Sequence, residues 1–146
     1  VAGTTLYPDF APEVTSYTVG VPHATTTVDV TAVTSHSEAT LTVSGGQATS
    51  GSPVGSIPVT EGANTVAVVL TAEDGSSVEY TLTVARAYLY GVTSVAADGS
   101  YTFACDVGFA GDGVSCADID ECVFSNTCAT GQLCTNILGS YICSDL

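Results

Sequence analysis

The residues best suited to chemistry in this sequence are oxygen donors near its C-terminal end. Asp118, Asp120 and Glu121 place three carboxylates directly before Cys122, and Asn136 adds an amide oxygen further along the chain. Carboxylate, amide and backbone carbonyl oxygens are the ligands that Ca²⁺ takes, six to eight at a time. The pattern therefore favours a calcium site. The alternative is that these acids only solvate a loop and cap turns.

Six cysteines are the second chemical feature, and all of them lie from Cys105 onward. An even number crowded into a short stretch indicates a disulfide framework and hence an oxidising, extracellular compartment. A zinc site would want C-x2-C pairs, and the sequence contains none. Six cysteines allow 15 connectivities, which spacing alone does not resolve. The sequence has no Met and no signal-like segment, so we expect a processed or partial piece of a secreted precursor.

Groups for catalysis are harder to assemble. The two histidines, His23 and His36, lie beside predicted strand ends in Thr- and Ser-rich surroundings, where surface exposure explains them. Neither a G-x-S-x-G nor an H-E-x-x-H motif occurs. Acid pairs such as Glu73-Asp74 fall on turns, which explains them without a glycosidase role. We therefore predict that the protein is not an enzyme.

The net charge narrows the class of partner. Fifteen acidic side chains face a single basic one, Arg86, for a formal net charge of −14. Nucleic acid is excluded because several cations are needed along a phosphate backbone, and an anionic membrane surface is disfavoured for the same reason. No apolar run approaches the roughly 20 residues of a membrane span. With 45% hydrophobic and 11% charged residues, the chain is also too apolar for disorder.

The elements that position these groups follow from alternating apolar and Thr or Ser residues before Arg86. Six such runs occur between turn signals about 10 residues apart, with no helical period, and this spacing favours a two-sheet β-sandwich. After Arg86 the composition changes to Gly, Asp and all the Cys. We predict strands at 15–21, 25–33, 39–43, 57–59, 64–72 and 78–84.

Five short motifs follow one another in the predicted sandwich: L-Y-P-D-F at 6–10, Y-T-V at 17–19, E-G-A-N-T at 61–65, A-E-D-G at 72–75 and Y-T-L-T-V-A-R at 80–86. Together they resemble the cadherin-like β-sandwich family common in bacterial and algal surface proteins. The resemblance implies an all-β fold, with an Ig-like or cadherin-like antiparallel sandwich over residues 1–87.

The same resemblance places the first strand of the family before Leu6, and this chain begins too late to hold it. We therefore expect an open sheet edge, which is an exposed template for another strand. Either the chain is a fragment, or a neighbouring subunit supplies the missing strand by β-augmentation.

The C-terminal part contains two further motifs, D-I-D-E-C at 118–122 and C-T-N-I-L-G-S-Y-I-C at 134–143. They resemble the calcium-binding EGF-like module, whose hairpin pattern is C-x-[DN]-x4-[FY]-x-C. The resemblance implies calcium as the cofactor. It also implies six ligands, which are the side chains of Asp118, Glu121 and Asn136 and the carbonyl oxygens of Ile119, Ile137 and Ser140.

The disulfide pairing also follows from this resemblance, since the family joins its first cysteine to the third and its second to the fourth. That pattern implies Cys122–Cys134 and Cys128–Cys143. The remaining pair, Cys105–Cys116, resembles the last loop of a preceding module. The chain then divides into the sandwich at 1–87, a partial EGF-like module at 88–117 and a calcium-binding one at 118–146.

The first of the two modules has lost several features of the family. Its segment 94–105 parallels 134–145 of the second module, with Ser94 and Phe103 where cysteines are expected. Ala96 stands at the position of the calcium-binding Asn. We expect this module to keep its hairpin and final loop without a calcium ion of its own.

The junction between the two modules is a single residue, Ala117, between Cys116 and Asp118. In tandem EGF-like arrays this spacing goes with a rigid rod, in which an aromatic side chain of one module packs on the next. By resemblance, Phe109 would be that aromatic residue, and its ring would pack on Leu138-Gly139. The alternative is that Phe109 is simply the core of its own loop.

Clusters of Thr and Ser near Pro are open to O-glycosylation on a secreted chain. A glycan coat or bound divalent cations would also offset the self-repulsion of so many acids. The candidate positions are Thr25, Thr26, Thr27, Thr49, Ser50 and Ser52.

Two functions of different class remain, both in a secreted or cell-surface protein. The first is a structural subunit of an extracellular fibre, stiffened by disulfides and calcium, in which head-to-tail strand donation propagates a filament. The second is a calcium-dependent adhesion or ligand-binding module of a larger surface protein, with other extracellular proteins as partners. The sandwich turns carry mostly Gly, Ser, Thr and acids rather than aromatic residues, which favours the fibre.

Overall fold

The computed structural model describes residues 5–124 and 127–146, and this part of the chain is built almost entirely from β-strands. Its only helical element is a single 3₁₀ turn at Glu121–Val123, which confirms the predicted all-β class. None of the described segments is a helix long and apolar enough to cross a bilayer. In chain order the strands are β1 (Ser16–Val21), β2 (Thr27–Thr31), β3 (Thr40–Val43), β4 (Gly46–Ala48), β5 (Pro53–Pro58), β6 (Gly62–Thr71), β7 (Ser77–Arg86), β8 (Gly91–Val95), β9 (Tyr101–Cys105), β10 (Phe109–Gly111), β11 (Cys116–Asp118), β12 (Gln132–Ile137) and β13 (Ser140–Asp145).

The first seven strands form two facing sheets. One has five strands in the order β1-β7-β6-β3-β4, and the other is the antiparallel pair β2-β5. Within the larger sheet β1 runs parallel to β7, while the other neighbours are antiparallel. Alternating residues point between the sheets, because successive side chains of a strand face opposite sides. The buried core comprises Tyr17, Val19, Val21, Val28, Val30, Leu41, Val43, Val59, Val66, Val68, Leu82 and Val84.

The sequence did not predict strand β4. Strand β3 ends at Val43, and Ser44 and Gly45 then adopt φ values of 49° and 80°. Two consecutive residues with positive φ make a tight hairpin turn. The turn brings Gly46 back opposite Val43, so the chain adds a short edge strand to the larger sheet.

The C-terminal part consists of three antiparallel hairpins, β8–β9, β10–β11 and β12–β13. Disulfides join Cys105 to Cys116, Cys122 to Cys134 and Cys128 to Cys143, and no cysteine of the described residues is free. In a region with so few buried apolar side chains, each closed loop stabilises the fold by roughly 3 kcal/mol.

Strand β1 lies at the edge of the larger sheet, where an open edge was expected. Tyr7 forms a backbone bridge to Thr18 there, donating to its carbonyl at 2.9 Å and accepting from its N–H at 2.6 Å. The outward side of β1 lies under the β8–β9 hairpin. A Cβ added at Gly20 would approach Val95 Cγ2 to 3.0 Å and Thr93 Cγ2 to 3.3 Å. The first partial module is thus packed directly on the sandwich.

Candidate metal centre at the module junction

The acidic segment before Cys122 divides into residues with different roles. Asp120 caps the 3₁₀ turn, because its Oδ1 accepts the Cys122 N–H at 3.0 Å. Asp118 ends strand β11, and Glu121 begins the 3₁₀ turn, which packs against β12. Capping holds the Asp120 carboxylate at the start of this turn. Asp118 and Glu121 are left as the two carboxylates of the candidate centre.

Asp118 is partly buried, and its hydrogen bonds join the start of the second module to the hairpin of the same module. Its Oδ2 accepts from Asn136 Nδ2 at 2.8 Å, and its Oδ1 accepts from the Gly139 N–H at 2.5 Å. Both donors belong to the β12–β13 hairpin. The structure therefore brings Asp118 and Asn136 together, 18 residues apart in sequence.

Two oxygens at this junction lack hydrogen-bond partners among the described residues. Glu121 Oε2 and Asn136 Oδ1 are both buried, and no donor reaches either of them. An unsatisfied buried oxygen costs about 1–3 kcal/mol, and more when it carries charge. A hard cation bonds oxygens of both kinds, since Ca²⁺ takes mixtures of carboxylate and amide ligands. The donor set therefore fits the ion that the sequence predicted.

The three predicted carbonyl ligands lie on the same elements. Ile119 follows β11 and donates its N–H to the Gly108 carbonyl at 3.0 Å. Ile137 and Ser140 are paired residues that flank the turn of the β12–β13 hairpin. Within the described residues no three His, Cys, Asp or Glu side chains converge. A cation here would therefore depend on amide and carbonyl oxygens beside two carboxylates.

The aromatic residue of the junction contacts the second module through a glycine. A Cβ added at Gly139 would lie 2.8 Å from Cε2 of Phe109, so the ring rests on the bare backbone of the turn. Gly139 also has φ of 73°, which L side chains rarely adopt. Leu138, the other residue predicted to contact the Phe109 ring, is 65% exposed.

Sequence reasoning missed Tyr90. Its ring stacks on Phe109 with centroids 4.4 Å apart and planes within 4° of parallel. Phe109 thus contacts an aromatic ring from its own module and a glycine from the next. An aromatic residue just before the first hairpin was the available signal, but its partner depends on a fold that the local pattern does not specify.

The remaining candidate residues lie outside this centre. His36 lines an open, shallow depression with Ala39, Ala72, Glu73 and Asp74. His23 Nδ1 lies 2.9 Å from Glu61 Oε1, with over a third of each side chain exposed. Among the described residues neither histidine side chain hydrogen-bonds a hydroxyl or thiol group, and Glu61, the acid beside His23, is exposed.

Of the predicted glycosylation positions, all but Thr25 are exposed, and Thr25 is partly buried. Ser50 Oγ accepts the Thr34 N–H at 2.9 Å, so this hydroxyl already has a structural role. Attachment of glycans stays a prediction for these residues.

Comparison with known proteins gives separate matches for the sandwich and for the C-terminal part. A model of the cadherin-like beta sandwich domain matches residues 2–87, of which 2–4 lie outside the described residues. A protein of Evansella cellulosilytica labelled a membrane protein is 38% identical over 82 residues, which is 56% of this chain and 12% of that protein. Solved structures gave no match.

The other relatives match the C-terminal, disulfide-rich part. Uromodulin of Rattus norvegicus is 49% identical over 45 residues, 30% of this chain and 7% of its own length. Fibulin-2 of Homo sapiens is 50% identical over 48 residues, 31% of this chain and 4% of its own length. The chain therefore spans at most 12% of any of these three relatives.

Proposed function

The chain belongs to the cadherin-like beta sandwich domain family, and from this premise we propose that it is a non-enzymatic structural subunit of a secreted or cell-surface fibre. The family, the disulfides and the C-terminal relatives support an extracellular module. The EGF-like resemblance of the C-terminal part is confirmed by those relatives.

The observation that carries the fibre role is the direct packing between successive parts of the chain. Val95 of the first hairpin lies on Gly20 of the sandwich, and Phe109 of the first module lies on Gly139 of the second. Asp118, the first residue of the second module, adds two hydrogen bonds to the hairpin of that module beside this junction. A chain whose parts pack on one another transmits force better than one whose parts hang on linkers, as a fibre subunit requires.

Calcium is the proposed cofactor of the second junction. Asp118, Glu121 and Asn136 would hold the ion through side-chain oxygens, with the carbonyls of Ile119, Ile137 and Ser140 completing the shell. When bound, the ion supplies positive charge that offsets the two carboxylates and satisfies the buried oxygens of Glu121 and Asn136. The chain's own residues then tie β11, the 3₁₀ turn and the last hairpin together.

The ligand assignment predicts that Asn136→Ala and Glu121→Gln each weaken calcium binding at least tenfold, because each removes a buried oxygen or its charge. Tenfold corresponds to about 1.4 kcal/mol. Isothermal titration calorimetry of the full chain measures the change. Asp145→Asn is the matched control, since Asp145 accepts from Gln132 at the far end of the same hairpin. Equal affinity in all four proteins would contradict the assignment.

An adhesion or ligand-binding module of a larger surface protein is the second candidate, and one observation favours it. Phe10 is 66% exposed at one end of the sandwich, where its ring lies 5.7 Å from that of Tyr17 and 6.1 Å from that of Tyr80. Exposed aromatic side chains on a rigid loop are common anchors of protein interfaces.

Electron microscopy of the native secreted material, with and without a calcium chelator, separates the two candidates. A fibre subunit should give regular filaments that contain this chain and that lose order when calcium is removed. Dispersed particles in both conditions would contradict the fibre and leave the adhesion module.

A further inference from the structure

We propose that Thr127 is a positioning residue of the candidate metal centre. Its hydroxyl fixes the turn that carries Glu121 and thereby sets the affinity of the site for calcium. Thr127 lies outside both motifs of the C-terminal part, which span 118–122 and 134–143. The inference rests on the proposed calcium role and deepens it, because it names a residue that acts on the site without being one of its ligands. It is independent of the fibre role.

The turn that carries Glu121 is held only weakly by its own backbone. It is a 3₁₀ turn of three residues, and short segments of this kind have poor hydrogen-bond geometry. The Val123 nitrogen lies 3.5 Å from the Asp120 carbonyl oxygen, and the Phe124 nitrogen lies 3.3 Å from the carbonyl oxygen of Glu121 itself. Other contacts must therefore fix Glu121, whose buried Oε2 has no hydrogen-bond partner among the described residues.

Thr127 supplies such a contact. Its Oγ1 donates to the Glu121 carbonyl at 2.5 Å and lies 3.0 Å from the Phe124 carbonyl oxygen. A hydroxyl has one proton to donate, so the shorter contact is the principal bond. The bond to Glu121 is partly buried, and a hydrogen bond shielded from water is electrostatically stronger than an exposed one. The hydroxyl therefore holds the residue that the weak backbone bonds of the turn leave loose.

Two disulfides attach this part of the chain to the last hairpin. Cys122–Cys134 begins at the residue after Glu121, and Cys128–Cys143 begins at the residue after Thr127. The hydroxyl bond joins these two attachment points, which are six residues apart in sequence. It closes a segment whose ends are already fixed on the hairpin that carries Asn136. The hydroxyl thus helps to hold Glu121 in place relative to Asn136.

Preorganisation explains how a hydroxyl that is not a ligand affects the affinity for a cation. A ligand that is already ordered loses less conformational entropy when the ion binds, and the rigidity of a site is one of the factors that tune its affinity for Ca²⁺. Without the hydroxyl, the Glu121 carbonyl loses its short donor, and binding must order the turn. One hydrogen bond of ordinary strength corresponds to roughly a three- to tenfold change in affinity.

Isothermal titration calorimetry of the full chain with Ca²⁺ tests this role. Thr127→Val removes the hydroxyl but keeps the shape of the side chain, and it should weaken calcium binding about three- to tenfold. Thr127→Ser keeps the hydroxyl and should retain most of the affinity. Thr135→Val is the matched control and should bind like the unmodified chain, because the exposed Thr135 side chain lies on the opposite side of β12 from Asn136.

A double-mutant cycle with Glu121→Ala separates positioning from a general structural role. If the hydroxyl acts through the Glu121 side chain, Thr127→Val should weaken binding by less than about twofold once that side chain is gone. Thr127→Ala is a second variant without the hydroxyl and allows the same cycle if Thr127→Val misfolds. The same loss in the Glu121→Ala chain as in the unmodified chain would show that Thr127 acts elsewhere, and would overturn the inference.

The titrations also separate this inference from the calcium role on which it rests. Calcium binding by the unmodified chain, with equal affinity in Thr127→Val, would overturn the role of Thr127 and leave the calcium site standing. An unmodified chain that binds no calcium would overturn both.

Discussion

At the scale of single residues, the sole cation of the chain stabilises backbone rather than pairing with an acid. Arg86 donates from Nε and Nη2 to the His23 carbonyl, at 2.9 and 2.6 Å, and from Nη1 to the Val59 carbonyl at 2.9 Å. These three residues lie at the ends of different segments of the sandwich. The guanidinium therefore ties one end of the sandwich together by its forked geometry.

Arg86→Lys should destabilise the chain by about 1–3 kcal/mol, although it keeps the charge, because an ammonium group does not reproduce the fork and leaves carbonyls unpaired. Urea unfolding measures the loss. Glu61→Gln is the control, since it removes the nearby His23 contact without touching either carbonyl. An unchanged unfolding midpoint for Arg86→Lys would contradict this role.

Two turns of the chain share one carboxylate arrangement. Asp74 accepts from the hydroxyl of Ser76 at 2.6 Å and from its N–H at 2.9 Å, and Asp98 accepts from Ser100 at the same distances. These hydrogen bonds lower the pKa of each carboxyl below its ordinary 3.8, and the bond from the hydroxyl has the larger effect. Because the folded pKa is the lower one, each turn is stabilised above pH 3.8 and loses this stabilisation as pH falls through the folded pKa.

Ser76→Ala should raise the pKa of Asp74 toward 3.8, because it removes the hydroxyl hydrogen bond, which lowers this pKa more than the N–H bond does. The pKa of Asp98 should not change, which makes the second turn an internal control in the same protein. Carboxyl chemical shifts followed by NMR from pH 2 to 6 report both groups. Equal pKa values for Asp74 in the two proteins would show that the hydroxyl contributes nothing.

At the scale of elements, the sequence predicted what depends on local pattern. Period-2 alternation located the two ten-residue strands, because buried apolar residues recur at alternate positions along β6 and β7, but it gave β5 only as 57–59 where the strand is Pro53–Pro58. Strand β4 was not predicted because it depends on the positive φ of Ser44, which no composition rule indicates. The parallel pairing of β1 with β7 joins residues far apart in sequence, so it has no local signal.

In the candidate site, too, the sequence predicted some residues and contacts and missed others. Asp118 and Asn136 belong to motifs with fixed spacing, and the structure places them in contact. Asp120, which the implied ligand set leaves out, caps the 3₁₀ turn, because its carboxylate accepts the Cys122 N–H there. The stacking of Tyr90 on Phe109 needs two hairpins to meet, which sequence spacing does not encode.

The two hairpins that parallel each other in sequence differ in register. Val95 pairs with Tyr101 across a five-residue connection, whereas Ile137 pairs with Ser140 across Leu138-Gly139. A shift of one residue reverses the faces of a strand. Equivalent positions of the two modules therefore do not all point the same way: Ser94 and Phe103 lie on opposite sides of the first hairpin, whereas Cys134 and Cys143 pair on one side of the second.

Gly20→Val should destabilise the chain by about 1–3 kcal/mol, because even a Cβ would crowd Val95 at 3.0 Å. The amides of β8 and β9 should exchange faster with solvent, which hydrogen exchange measures while urea unfolding gives the stability. Gly46→Val is the matched control, since a Cβ there meets nothing closer than 3.5 Å. Unchanged exchange in β8–β9 would show that this packing contributes no stability.

At the scale of the whole molecule, rigidity depends on the junction at Ala117. The packing of Phe109 on Gly139 and the bonds from Asn136 and Gly139 to Asp118 hold the last hairpin in place. Most of these contacts converge on one carboxylate in a chain of net charge −14. Without a cation, Asp118, Asp120 and Glu121 repel one another. The junction is therefore where the proposed ion would matter most.

Removal of calcium should loosen this junction and raise protease cleavage near Ala117, while the disulfides keep each module folded. Elastase, which cuts after small residues, can be applied with and without chelator, and fragments mapped by mass spectrometry. Asn136→Ala should be cut in calcium at the rate that the unmodified chain shows in chelator. Cleavage after Ala72, an exposed residue of the β6–β7 turn, should not change and serves as the internal reference. An equal rate at Ala117 in both conditions would mean that packing alone holds the modules together.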